Sequence, residues 1–235
     1  MPPQSSVASN YCPHCLSPLQ PMTIQFGGKT YQMGFEPCHC EGAEKERIQR
    51  LREEAEREAQ DAKRKAERTL RKSGIPKRYW GVKCVDGWED GAYIVGSVGV
   101  GKTHMAAGMA LKALNDGAKV RFLAGGDFMG RLRSSFGSEE SEDAIIDSLS
   151  RCDLLILDDL GKDKPTDWAC SMLYRLINAR YCDESPTIVT SQYEKEELYR
   201  RLATGDKDTA EAIVSRLVEM CPRIHLDGKD RRLHG

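Results

Sequence analysis

Tyr93-Ile94-Val95-Gly96-Ser97-Val98-Gly99-Val100-Gly101-Lys102-Thr103 is the stretch whose reading decides the fold. A short apolar run ends at Gly96, and Gly-x-x-x-x-Gly-Lys-Thr follows. Strand, glycine loop and helix start, in that order, make a P-loop. Glycines let the backbone curl so that several N–H groups face one phosphate. The helix opening near Lys102 adds the positive end of its dipole. On this reading Gly96, Ser97, Val98, Gly99, Val100 and Gly101 wrap a nucleotide's phosphates. Lys102 reaches the β- and γ-phosphates, and the Thr103 hydroxyl ligates Mg²⁺. A chance glycine-rich turn would lack the strand before it and the helix after it.

Outward from the loop, strands and helices alternate. A helix from Thr103 to Asn115 precedes a strand from Lys119 to Ala124. Asp127 is placed to cap a helix running through Arg133, and Glu142 to Leu149 forms a short one. Strands are expected at 154–157, 187–191 and 223–226, with helices at 166–181, 194–202 and 209–220. Such alternation implies an α/β fold, a mostly parallel sheet with helices on both faces, and ligands at the carboxyl ends of the strands. Leu154-Leu155-Ile156-Leu157 ends in Asp158-Asp159, the Walker B pattern. Asp158 is assigned to the Mg²⁺ and Asp159 to the attacking water.

Ahead of this region the chain changes character twice. Cys12-x-x-Cys15 and Cys38-x-Cys40 flank two alternating runs, Met22/Ile24/Phe26 and Tyr31/Met33/Phe35, around Gly27-Gly28. That predicts a β-hairpin, marginal by itself and stapled by a Cys₄ zinc site. His14 or His39 could replace one thiolate. The other five of the nine cysteines, Cys84, Cys152, Cys170, Cys182 and Cys221, are read as small buried hydrophobes. An odd total argues against a disulfide framework. Residues 43–72 are charged, with Ile48, Leu51, Ala55, Ala59, Ala62, Ala66 and Leu70 in one narrow stripe. Pairs such as Glu46–Arg50 and Glu53–Arg57 support a helix about 45 Å long. It is either a solvated linker or a lever that docks its alanine seam on a partner. Gly74 and Pro76 end it. The expected organisation is 1–42 zinc module, 43–72 charged helix and 73–235 nucleotide-binding domain.

A formal net charge of −1 over 235 residues advertises no nucleic acid, so any such contact must be local. No apolar run is long enough for a membrane span. The polar start, 1–10, lacks the blocks of a signal peptide, so a cytoplasmic protein is expected.

Leu154-Leu155-Ile156-Leu157-Asp158-Asp159-Leu160-Gly161, Pro186-Thr187-Ile188-Val189-Thr190-Ser191 and Ala212-Ile213-Val214-Ser215-Arg216-Leu217 follow the P-loop in this order. Together they resemble the AAA+ ATPases of the DnaC/IstB type, bacterial and phage replicative helicase loaders and their transposition relatives. Ile75-Pro76-Lys77-Arg78-Tyr79 resembles the segment before the ATPase core of those loaders. The cysteine-bearing start followed by a charged helix resembles loaders of the phage and Gram-positive kind. The resemblance covers about residues 73–232.

It implies an AAA+ domain that binds and hydrolyses ATP. Gln192 stands at the sensor 1 position, where an Asn is usual, and Arg216 at that of an arginine finger reaching a neighbouring subunit's ATP. The chain ends soon after Leu226, so no helical lid is expected. Arg231 and Arg232 are then a second sensor or a basic tail. Implied partners are a DnaB-type helicase, single-stranded DNA and further copies of the chain through a shared ATP site, with no membrane. Arg131 and Arg133, with Phe128 and Phe136 nearby, are candidates for the single strand. The alternatives are an IstB-like transposition helper and a nucleotide-gated adaptor with negligible hydrolysis. The second is motivated by Gln192 and by Asp159, where many AAA+ proteins have Asn and Glu.

Overall fold

In a computed structural model of the chain, residues 10–124, 128, 130, 141–162, 165–203 and 206–230 are described. Arg131, Arg133, Phe136, Arg231, Arg232 and the Asp127 cap lie outside them. The chain divides into two compact units, one ending at Glu67 and the other beginning at Arg68.

The first unit holds the hairpin, β1 (Pro21–Phe26) and β2 (Lys29–Phe35), paired antiparallel with a bulge between Met22 and Thr23. Opposed residues share a face, so Ile24 stands across from Tyr31 and Thr23 across from Gln32. One face is therefore polar. The apolar residues Met22, Ile24, Phe26, Tyr31 and Met33 are exposed.

Helix α1 (Glu41–Ser73) then runs without interruption. Its first turn carries Glu41 and Glu44 and its last Arg71 and Lys72, each favourable to the helix dipole. Glu46 departs from its expected pairing with Arg50. Its Oε2 lies 2.7 Å from His14 Nε2, and that bond holds its carboxyl below the usual range. Gly74, at φ 81°, ends the helix, its N–H donating to Arg71 O.

The second unit is a five-stranded sheet in the order β4-β5-β6-β3-β7, every pair parallel. The strands are β3 (Ala92–Gly96), β4 (Val120–Ala124), β5 (Leu154–Asp158), β6 (Thr187–Ser191) and β7 (Arg223–Leu226). The helices whose bounds are described are α2 (Lys102–Asn115), α3 (Glu142–Ser150), α4 (Asp167–Cys182), α5 (Lys195–Leu202) and α6 (Lys207–Met220). A single 3-10 turn, Lys77–Tyr79, follows α1.

Strand side chains alternate between two cores because the pleat has a period of two. Ala92, Ile94, Leu154, Ile156 and Ile188 face α2 through Ala106, Met109 and Ala110. Tyr93, Val95, Leu155, Leu157 and Val189 face α3, α4 and α6 through Leu149, Leu173, Leu176, Ile213 and Leu217. Burial on both faces explains why β3 and β5 read as continuous apolar runs. Phe128 is 2% exposed and belongs to the second of these cores, so it is no stacking platform. Cys152, Cys170 and Cys221 are buried as expected, whereas Cys84 and Cys182 are exposed.

Arg180 on α4 is fully buried and ties together the edge of the sheet opposite the P-loop. It donates to Thr187 Oγ1 and to the carbonyls of Leu149, Ser150, Cys152 and Pro186 over 2.5–3.0 Å. Thus a charged residue at a core position joins the ends of α3, β5 and β6.

Candidate functional site

β3 and β5 lie on either side of β6, so the loops leaving their carboxyl ends meet across one strand. The loop after β3 turns through Gly99 at φ 79° and Gly101 at φ 108° before α2 begins. At Gly99 a Cβ would also meet the Asp230 carboxylate, a movable side-chain end, so it is the positive φ that demands glycine. The N-terminus of α2, whose first backbone N–H groups have no acceptor within the helix, opens into a cavity of about 550 Å³. It is lined by Val98, Gly99, Gly101, Lys102 and Thr103 from the loop and by Asp159 and Gln192 from across the sheet. Arg78, Tyr79, His104 and Lys162 complete it.

Lys102 is 6% exposed, and its Nζ donates to Gly96 O and Ser97 O at 2.8 Å each. Thr103 Oγ1 donates to Asp158 Oδ1 at 2.9 Å. A hydroxyl that lines the cleft and a carboxylate in contact with it are hard oxygen donors of the kind Mg²⁺ takes beside phosphates. Burial raises the Asp158 pKa, while hydrogen bonds from Thr190 and Thr103 oppose the rise. Bound metal would add positive charge beside this buried carboxylate, to that of Lys102.

Thr190 is a residue to which the sequence reading gave no role. It is fully buried at the end of β6. Its Oγ1 donates to Asp158 Oδ1 at 2.6 Å and accepts from Asp159 N at 2.9 Å. One hydroxyl therefore orients both members of the acidic pair. Asp159 stands at φ 58°, a left-handed conformation rare for a non-glycine residue. The bond from its N–H to Thr190, and that from Leu160 N to Thr190 O at 2.9 Å, hold this turn. A threonine in a strand reads as ordinary β-former; its parallel neighbour is invisible in one dimension.

Arg78, Tyr79 and His104 were also not singled out. The Tyr79 and His104 rings meet edge to face at 6.3 Å, and the Arg78 guanidinium lies 5.1 Å from the Tyr79 ring. The sequence places Lys77-Arg78-Tyr79 in the segment that resembles the one before the loaders' ATPase core, and gives it no role in the cleft. Arg216 does not line the cleft of its own chain. It lies on α6 against α4, its Nε donating to Asn178 Oδ1 at 2.9 Å.

In the first unit the sulfurs of Cys12, Cys15, Cys38 and Cys40 all lie within 4.8 Å of one another. Cys12 and Cys40 are 3.7 Å apart, Cys15 and Cys38 3.5 Å. Four thiolates about 2.3 Å from a tetrahedral zinc stand about 3.8 Å from each other, so the set fits that ion. Backbone N–H groups of Cys40 and Ala43 point at the sulfurs of Cys38 and Cys40. Bonds from Ser17, then from Cys38, hold Cys15 down to about 6. Cys38 is pushed up to about 12: the Cys40 N–H opposes the rise, and the bond to Cys15 and desolvation outweigh it. Neither His14, bound to Glu46, nor the exposed His39 belongs to this group.

Residues 85–235 match the family described as IstB-like ATP binding protein. The replicative helicase loader DnaI of Bacillus subtilis is 26% identical over 148 residues, 60% of this chain and 47% of that protein. The IS21 insertion-sequence ATP-binding protein of Pseudomonas aeruginosa is 29% identical over 143 residues, 60% of this chain and 51% of that protein. The chain thus spans about half the length of these curated relatives. The crystal structure of the DnaC helicase loader superposes with a TM-score of 0.55 at 24% identity, covering 65% of this chain and 100% of that one. That likeness establishes the AAA+ fold. No helix among the described residues is long and apolar enough to cross a membrane.

Proposed function

This chain belongs to the IstB-like ATP-binding family, and we propose that it is an ATPase that loads a replicative helicase of the DnaB type onto single-stranded DNA. The observation that carries the ATPase reading is the meeting of Thr103 with Asp158 below the P-loop, with Asp159 and Gln192 beside it. Gly96 to Thr103 would hold the phosphates, Lys102 turning from the loop carbonyls to the β- and γ-oxygens. Thr103 and Asp158 would hold Mg²⁺, which neutralises charge on the transferred phosphoryl group. Asp159 would accept the proton of the attacking water, and Gln192 would hold that water or the γ-phosphate by its amide. Arg216 would enter the ATP site of a second copy.

The loader reading is supported by the relationship to a helicase loader and by a four-cysteine hairpin and 33-residue helix ahead of the ATPase unit. Zinc on Cys12, Cys15, Cys38 and Cys40 would fix the hairpin, and that module with α1 would contact the helicase. The test is co-sedimentation with a DnaB-type helicase under ATP and ADP. An ATP-dependent complex is expected, and its absence with active protein would sink the reading.

The similarity to the insertion-sequence protein favours a second reading, a transposition helper bound to duplex DNA. Tighter binding to duplex than to single strands, together with no helicase complex, would establish it. An adaptor with negligible turnover would release phosphate at the same rate as its Asp159→Asn variant. Hydrolysis predicts a loss of about 10²–10⁴.

A further inference from the structure

Resting on the shared ATP site proposed above, we infer that Tyr174, Asn178 and Tyr181 form a cradle that presents Arg216 to the γ-phosphate of ATP held by a second copy of this chain. The three residues stand at i, i+4 and i+7 of α4, which is one face of a helix. The Arg216 guanidinium lies 5.1 Å from the Tyr174 ring and 5.4 Å from the Tyr181 ring. Nε donates to Asn178 Oδ1 at 2.9 Å and Nη1 to Ala212 O at 3.1 Å. Tyr181 is fixed in turn, its hydroxyl donating to Glu219 Oε1 at 2.9 Å.

This arginine is held by neutral partners, as Arg201 is by the Gly161 and Lys162 carbonyls and the Tyr193 ring. Its hydrogen-bond acceptors are a side-chain amide and a backbone carbonyl, and its other neighbours are π faces. Elsewhere on the same unit, Arg175 pairs with Asp143, Arg200 with Glu197 and Arg223 with Glu194. Among the described residues no carboxylate comes within ion-pair reach of Arg216, and Glu219 bonds Tyr181 instead. Neutral acceptors and aromatic faces fix a guanidinium without cancelling its field. Nη2 makes no hydrogen bond among the described residues, so donors remain for phosphoryl oxygens. The chain's own cleft is lined by other residues, so the anion that Arg216 meets is brought from outside. Tyr174, Asn178 and Tyr181 are positioning residues, acting through Arg216 alone.

The decisive variant is Asn178→Asp, which keeps the shape and the acceptor but adds a counter-charge. ATP hydrolysis at saturating nucleotide, ATP-dependent self-association by sedimentation velocity, ATP affinity of dilute protein and thermal unfolding are measured on the full chain with Mg²⁺. Asn178→Asp is expected to lower the rate by roughly 10- to 100-fold. It should also remove the excess of association in ATP over ADP. ATP affinity and melting temperature should hold or, for the latter, rise. Asn178→Ala, which loosens the arginine without discharging it, should fall between. A packing role alone would leave hydrolysis and association untouched by Asn178→Asp, and that result overturns the cradle. Arg216→Ala at wild-type rate and association overturns the shared site itself. If Arg216→Ala loses both while Asn178→Asp loses neither, only the cradle fails. Loss of single-strand affinity in Arg216→Ala, with association intact, would assign the arginine to a DNA phosphate and overturn the inference.

Discussion

At the scale of single residues, the acidic pair depends on one hydroxyl. Thr190 Oγ1 is bonded to Asp158 and to the backbone of Asp159, whose left-handed φ needs an anchor. Thr190→Val preserves shape and removes only the hydroxyl. It leaves the Asp159 N–H without its acceptor, which destabilises by about 1–3 kcal/mol. The rate should fall by about tenfold, equivalent to about 1.4 kcal/mol of barrier. The Mg²⁺ concentration for half-maximal rate should rise, because Asp158 loses one of the two hydroxyls that orient it. Thr190→Ser, which retains the oxygen, should recover most of both. Steady-state kinetics over a Mg²⁺ series checks this, and a Val variant with unaltered Mg²⁺ dependence would refute it. Thr190 was not legible in the sequence because its partners lie 31 and 32 residues away, on a strand paired with its own.

At the scale of elements, α4 and α6 carry the Arg216 contacts, and their ends are pinned by polar groups. Asp206 caps α6, its Oδ1 accepting from Asp208 N and Thr209 N. The Thr209 hydroxyl, then the backbone N–H groups, hold its carboxyl below the ordinary value. A pKa depressed on folding contributes stability that is present above the unfolded value, about 3.9, and is lost as pH falls through the folded one. The gap in melting temperature between wild type and Asp206→Ala should therefore be full at pH 7 and close in acid. A gap unchanged in acid would show that the carboxylate is not the cap. At the far end of α4, Arg180 serves four backbone carbonyls and one hydroxyl. Arg180→Met fills the volume but strands those acceptors, each worth about 1–3 kcal/mol when left without a donor. Loss of well over 3 kcal/mol is expected by denaturant unfolding. A near-neutral result would mean that water replaces the guanidinium.

At the scale of the whole molecule, the two units draw on different sources of stability. The sheet unit has two apolar cores, whereas the hairpin unit exposes most of its apolar side chains. Zinc in such modules contributes about 10–16 kcal/mol of apparent binding energy. Chelation should therefore melt the hairpin unit alone. Protease should then cleave within 10–40, and four more thiols should react with a chromogenic reagent, while nucleotide binding by the P-loop unit persists. Retention of the hairpin's protection after chelation would show that it needs no metal.

The sequence by itself determined the P-loop, the acidic pair, the alternation of strands and helices, and the pairing of cysteines around a hairpin. These are local signals: periods of two and 3.6, glycines at fixed offsets, and ligands close in the chain. The tertiary structure decided the strand order, which puts β6 between β3 and β5 and so brings Thr190 to Asp158. It also brought Arg78 and Tyr79 into the cleft, took Phe128 into the core, drew His14 to Glu46 and set Arg216 among neutral partners. The reason is common to all of these. Side chains of one type look alike along the chain, and only packing between distant elements decides whether each meets a carboxylate, a ring, a carbonyl or water.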